Sequence, residues 1–127
     1  MREPEFLSVE QVEALHRLAL ERYGGQDGLR DRAGFESAVM HPRTVWFYGQ
    51  GDVFDVAAAY AFHLTEAQAF IDGNKRTGIS AALVFLEVNG YLVPEATGVL
   101  YDGMIAMADR RLQKIEFARL LRRLSTH

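Results

Sequence analysis

The chain has 127 residues, 49% of them hydrophobic and 24% charged, with no cysteine and a formal net charge of −3. That is enough apolar material for one self-supporting core, expected as a single domain over residues 1–127. It leaves no thiols for a disulfide framework or a thiolate metal site, and 17 acidic against 14 basic residues argue against a general nucleic-acid binder.

The N-terminal stretch MREPEFLSVE lacks the apolar core of a signal peptide, and no apolar run reaches the roughly 18 residues of a membrane span. A soluble, cytoplasmic protein is expected. Ser8 and Gln11 form a capping-box pattern, after which Val12, Leu15, Leu18 and Ala19 recur at helical spacing until Gly24 and Gly25 stop the run. His16 lies on that helix beside the apolar stripe and reads as an ordinary helix residue. In GLRDRAGFESAVMHP, Asp31 is a natural N-cap for a short helix ending before Pro42. Residues 43–53, with Gly49, Gln50 and Gly51 and an aromatic cluster, read as an extended loop or short hairpin. Two longer apolar helices follow, from about Asp55 to Phe70 and from Asn74 to Val88, the second stopped by Asn89-Gly90. The spacing predicts two more, near Glu95–Asp109 and Lys114–Leu124, the last with Phe117, Leu120, Leu121 and Leu124 on one stripe. Almost no sequence remains for a sheet, so the fold class is all-α.

Between the two central helices stands FIDGNKRTG, with a carboxylate, a glycine, an amide and two cations in succession. The first turn of a helix beginning at Asn74 has unpaired N–H groups and the positive end of the peptide dipole. Gly73 allows close approach of a ligand to the backbone, and Lys75 and Arg76 add full charges, the arginine with a fork suited to phosphate. Together they suit an anion. Asp72 fits such a site when a Mg²⁺ ion lies between its carboxylate and the phosphate oxygens. The alternative is structural: Asp72 caps, Gly73 turns, and the two cations are solvated, although cations in a first turn oppose the dipole.

FIDGNKRTG resembles the signature loop of the Fic/Doc superfamily, and Lys75 in place of a glycine points to the Doc (death-on-curing) branch. LERYGGQDGLRDRAGFESAVMHPR is similar to that branch's N-terminal pattern, ALVFLEVNGY to the helix after the signature, and LYDGMIAMADRRL to its closing helices. The resemblance implies a compact bundle of about six helices with the signature loop between two central ones. It also implies a nucleotide-dependent transferase: Fic members move AMP from ATP to a target hydroxyl, whereas Doc toxins act as kinases on translation elongation factor Tu until a Phd-type antitoxin binds. By that resemblance Asp72 holds Mg²⁺, and Asn74, Lys75, Arg76 and the Gly73 amide grip the phosphates of ATP. Phe70 braces the loop from inside, and Trp46, Phe47, Tyr48 and Gly49 form a flap that docks the target.

The pattern departs at Gln68, where the family has a histidine regarded as the general base; Ala67 and Ala69 differ as well. A primary amide has no basic lone pair near neutral pH. On a continuous helix His63 stands about 140° and Glu66 about 160° around from position 68, so neither takes over by a simple shift. His41 reaches the cleft only if the fold carries it there, and terminal His127 carries no signal. Phosphoryl transfer relies mainly on positioning and charge neutralisation, with general-base help adding roughly 10²–10⁴-fold, and a glutamine can orient a nucleophile by hydrogen bonding. Three functions therefore stay open: a Doc-like kinase, a Fic-type AMP transferase, and a catalytically silent module that binds nucleotide or antitoxin.

Overall fold

The computed structural model describes residues 2–49, 51–94 and 97–126. Among them the chain is all-helical: α1 (Val9–Tyr23), α2 (Arg32–Met40), α3 (Pro42–Phe47), α4 (Val53–Ala67), α5 (Asn74–Val88), α6 (Thr97–Ala108) and α7 (Lys114–Leu124). The only bridges between extended segments in this described part are isolated ones, Leu29 with Phe70 and Leu92 with Thr126. Gln50, Glu95 and His127 lie outside the described residues. No helix there is long and apolar enough to cross a membrane.

The helices begin where the sequence supplies caps. Ser8 and Gln11 close the expected reciprocal box at the start of α1, with Ser8 Oγ accepting from the Gln11 amide at 3.1 Å. Asp31 accepts from the Gly34 amide at 2.9 Å and starts α2. Two boundaries differ from expectation. Helix α3 occupies part of the segment read as a loop or hairpin. Pro42 sits in its first turn, where a missing N–H has no consequence, and Phe6 receives Phe47 with ring centroids 5.9 Å apart. Tertiary contact thus overrides the strand preference of Val45, Trp46 and Phe47. Helix α4 ends at Ala67, three residues short of Phe70, because Gln68 turns left-handed.

Helix α4 is the axis of the molecule and touches α2, α3, α5, α6 and α7. Its small side chains make that possible: Val56, Ala57, Ala58, Ala59 and Ala61 are buried, and neighbouring helices come close over them. One close approach is at Gly78 of α5, where an added Cβ would lie 2.8 Å from the Ala61 carbonyl oxygen. Buried Tyr60 accepts the Leu7 amide at 2.9 Å and fastens the N-terminal segment to the core. The end of α4 and the start of α5 thereby meet on one side of the bundle, beside the end of α1 and the face of α6.

Candidate functional site

The loop from Gln68 to Gly73 is held from three directions. Segment 28–31 runs against it: Arg30 N–H donates to the Ala69 carbonyl at 2.8 Å, Ile71 N–H to the Gly28 carbonyl at 3.0 Å, and Arg30 Nε to the Gln68 carbonyl at 3.1 Å. These bonds stabilise Gln68 at φ 46°, ψ 42°, a left-handed conformation that costs a non-glycine residue about 1–2 kcal/mol. From below, His16 is buried against the loop. Its ring stacks on Phe70 at 3.6 Å and its Nε2 lies 2.8 Å from the Asp72 carbonyl oxygen. A carbonyl only accepts, so Nε2 carries the proton. Phe70 also packs edge-on to Phe35 at 4.9 Å, so it does lie inside, beneath the loop. From within, Asn74 spans the turn: Oδ1 accepts from Phe70 N–H at 3.1 Å and Nδ2 donates to the Phe70 carbonyl at 2.9 Å. Both polar ends of the Asn74 side chain thus face the loop, and Asn74 still lines the cavity.

Gly73 then opens α5 at φ +87°, where a Cβ would be strained and would stand 3.3 Å from His16. No side chain caps this helix, and its first capping bond runs from Thr77 N–H to the Gly73 carbonyl at 2.9 Å. The amides of Asn74, Lys75 and Arg76 consequently have no partner within the helix.

These elements enclose an open cavity of about 610 Å³ lined by Tyr23, Gly24, Gly25, Arg30, Thr65, Glu66, Gln68, Ile71, Asp72, Gly73, Asn74, Lys75, Arg76, Tyr101 and Ala108. Arg30, Lys75 and Arg76 form no ion pair with a carboxylate among the described residues, where such pairs fall to Arg32, Arg110, Arg111 and Arg122. In a chain of net charge −3, three uncompensated cations around one helix N-terminus make a local well for an anion. The Arg76 guanidinium lies against two phenol rings, 3.6 Å from the Tyr23 centroid and 4.5 Å from that of Tyr101. Stacking fixes its plane and leaves its N–H edges for a ligand. Asp72 Oδ2 accepts from Gln26 N–H at 2.7 Å, while Oδ1 has no protein partner among the described residues. The Thr65 and Thr77 hydroxyls are buried without hydrogen-bond partners among the described residues.

The structure gathers Gln68, Asp72, Gly73, Asn74, Lys75 and Arg76 at this cavity and leaves others outside it. Trp46 lines a separate hollow with Pro4 and Tyr91, Gly49 another with Lys114, and Phe47 packs on Phe6. Nor does His41 reach the cavity: its ring packs on His63 at 3.9 Å, and both line a small hollow behind Glu66. Lys114 Nζ stands 3.2 Å from His63 Nε2. Burial, then the charges of Lys114 and His41, lower the His63 pKa to about 4, so it is neutral at pH 7. Four participants were not assigned a role from sequence. His16 sat three and four residues from Ala19 and Val12, which marked a buried face but not its bond to a loop 56 positions away. Arg30, Tyr23 and Tyr101 stood inside segments of the resemblance, yet nothing local reveals what they touch.

Three comparisons bear on this geometry. The profile of the Fic/DOC family matches residues 6–86. The protein kinase doc of Escherichia phage P1 is 33% identical over 119 residues, covering 93% of this chain and 94% of that protein. The toxin Doc of Mycolicibacterium smegmatis (strain ATCC 700084 / mc(2)155) is 36% identical over 89 residues, covering 68% of this chain and 65% of that protein.

Proposed function

The chain belongs to the Fic/DOC family, and we propose that it is a Doc-like toxin module. In this reading it binds Mg²⁺–ATP and transfers a phosphoryl group to a hydroxyl of a cytoplasmic protein of the elongation factor Tu class, and a Phd-type antitoxin restrains it. The observation that carries the reading is the cluster of unpaired Arg30, Lys75 and Arg76 around the uncapped start of α5. Such a site suits a polyphosphate better than a single carboxylate, because several charges converge on one volume. The names of the two relatives, one a kinase and one a toxin, support the same reading.

Asp72 fits a magnesium ion carried in on the phosphates. Asp72 lines the cavity and its Oδ1 has no protein partner among the described residues, and no cluster of three or more metal-ligating side chains competes for the ion among those residues. Magnesium characteristically takes one or two carboxylates and completes its shell with phosphate oxygens and water. When bound it would neutralise charge that develops on the leaving phosphate.

The protein's own groups do the rest. The first amides of α5 and the Lys75 ammonium bind phosphate oxygens, Arg76 supplies a planar fork, and Arg30 supplies charge beside Gln68. The Gln68 amide can accept from the incoming hydroxyl and orient it, without taking its proton. Incubation with γ-labelled ATP, Mg²⁺ and elongation factor Tu should label the acceptor, and expression should arrest growth. Calorimetry should give triphosphate binding that Asp72→Ala weakens about tenfold, or ~1.4 kcal/mol, with magnesium present. A chain that binds no nucleoside triphosphate contradicts the reading.

Gln68 favours a second reading, a Fic-fold module that binds nucleotide and antitoxin without turnover. That reading expects nucleotide affinity with no label transfer, even from Gln68→His. Transfer of an α-phosphate label in place of the γ-phosphate would instead mark a Fic-type AMP transferase.

A further inference from the structure

We infer that Glu66 supplies the base that Gln68 cannot, taking the proton of the attacking hydroxyl; this rests on the phosphoryl-transfer reading above. The helical projection that separates residues 66 and 68 by about 160° holds only while the helix continues. Here α4 stops at Ala67 and Gln68 turns left-handed, so Glu66, in the last turn, and Gln68, just beyond it, line the same cavity.

Few other groups on that wall can accept a proton. Arg30, Lys75 and Arg76 offer only donors, and the Tyr23 and Tyr101 rings are taken up by contact with Arg76. Of the two lining carboxylates, Asp72 is anchored by the Gln26 amide and, in the reading above, would hold the magnesium ion. Glu66 is the other. Its Oε1 lies 3.3 Å from Arg110 Nη2, while Oε2 has no protein partner among the described residues. The Arg110 side chain is 76% exposed, so solvent screens this ion pair and Oε2 is left as a free acceptor. His63 and His41 line a second hollow, which Glu66 also borders, and neither of them lines the cavity.

The step balances within the site. The hydroxyl oxygen forms a bond to the γ-phosphorus, and its proton passes to Glu66 Oε2 directly or through one water. The bond from the γ-phosphorus to the β–γ bridging oxygen breaks, and its electron pair leaves on the nucleoside diphosphate. Glu66 then returns the proton to solvent.

The test uses the full chain with γ-labelled Mg²⁺–ATP and elongation factor Tu, with calorimetry of ATP binding run in parallel. Glu66→Gln should lower turnover about 10²-fold or more and leave ATP affinity within a few-fold of the unmodified chain. The acid limb of the rate–pH profile should disappear with it. In the Gln68→His background the same substitution should change turnover only slightly, because an imidazole then accepts the proton. Arg110→Ala should keep most of the activity. Equal loss in both backgrounds, or a loss from Arg110→Ala as large as that from Glu66→Gln, would assign Glu66 a structural role and overturn the inference. So would ATP binding with turnover unaffected by Glu66→Gln, or with turnover present only in Gln68→His. Absence of ATP binding would instead refute the phosphoryl-transfer reading itself, and Glu66 as base with it.

Discussion

His16 offers the sharpest test of how the loop is held. His16→Leu keeps an apolar side chain of similar bulk in a site that is only 2% exposed. It removes the bond from Nε2 to the Asp72 carbonyl at 2.8 Å and the stack on Phe70 at 3.6 Å. A net hydrogen bond contributes about 1 kcal/mol and an aromatic pair about 0.5–1.5 kcal/mol beyond burial. A total near 2 kcal/mol is small enough for a domain with about 5–15 kcal/mol of stability to stay folded. At this chain length it should lower Tm by roughly 5–10 °C. The functional consequence is separate. Without that anchor, Asp72 and Gly73 no longer set the direction of the first α5 amides, and ATP affinity should fall about tenfold, ~1.4 kcal/mol. Val12→Ala is the control. Val12 is buried on the same helix, and its truncation should lower Tm by a comparable amount through a cavity while touching no part of the loop. Melting curves and calorimetry on the two variants decide the matter. If His16→Leu loses stability but binds ATP as Val12→Ala does, His16 is a core residue and the anchoring argument is wrong.

The Arg76–Tyr101 contact predicts that Tyr101→Leu weakens ATP binding several-fold while Tyr101→Phe does not, and that the loss vanishes when Arg76 is already alanine. A loss that persists in Arg76→Ala would mean that the ring acts on something other than the guanidinium. At the α4–α5 seam, Gly78→Ala must push its Cβ off the Ala61 carbonyl, 2.8 Å away. Overpacking of about 1–3 kcal/mol outweighs the helix-propensity gain of up to ~1 kcal/mol, so Tm should drop; a rise would show that the helices separate freely. His63 sets a pH dependence. Its folded pKa of about 4 lies below the ordinary imidazole value of 6.5, so the unfolded chain binds the extra proton first. This contribution to stability is present above pH 6.5 and is lost as pH falls toward 4. Because the ring is only half-buried, the loss should be about 1–2 kcal/mol, less than the full shift implies. Denaturant titrations at several pH values should show His63→Gln without this loss; an unchanged slope in that variant would assign the acid sensitivity to other groups.

Much of the fold is written in short-range chemistry. Asn74–Val88 and Lys114–Leu124 form with the expected bounds, because apolar periodicity and stop signals act within a turn or two of the residues that carry them. The Ser8–Gln11 box and the Asp31 cap work the same way. The cationic loop was legible too, since an uncapped helix start, a glycine and two adjacent cations are neighbours in the chain. Segment 43–53 misled, because its aromatic residues suit a strand until Phe6 is there to receive Phe47.

What only the tertiary structure decided lies in bonds between distant residues. Gln68 leaves the helix with Arg30, 38 positions earlier, bonded to its carbonyl, and that turn places Glu66 on the same wall. Tyr23 and Tyr101 come to Arg76 from two different helices. His16 reaches Asp72 across the core. The residues fixed where each helix begins and the charge at the loop, since both depend on neighbours in sequence. Which groups face one another across the cavity depends on how α1, α4, α5 and α6 pack, a property of the whole folded chain and of no single segment.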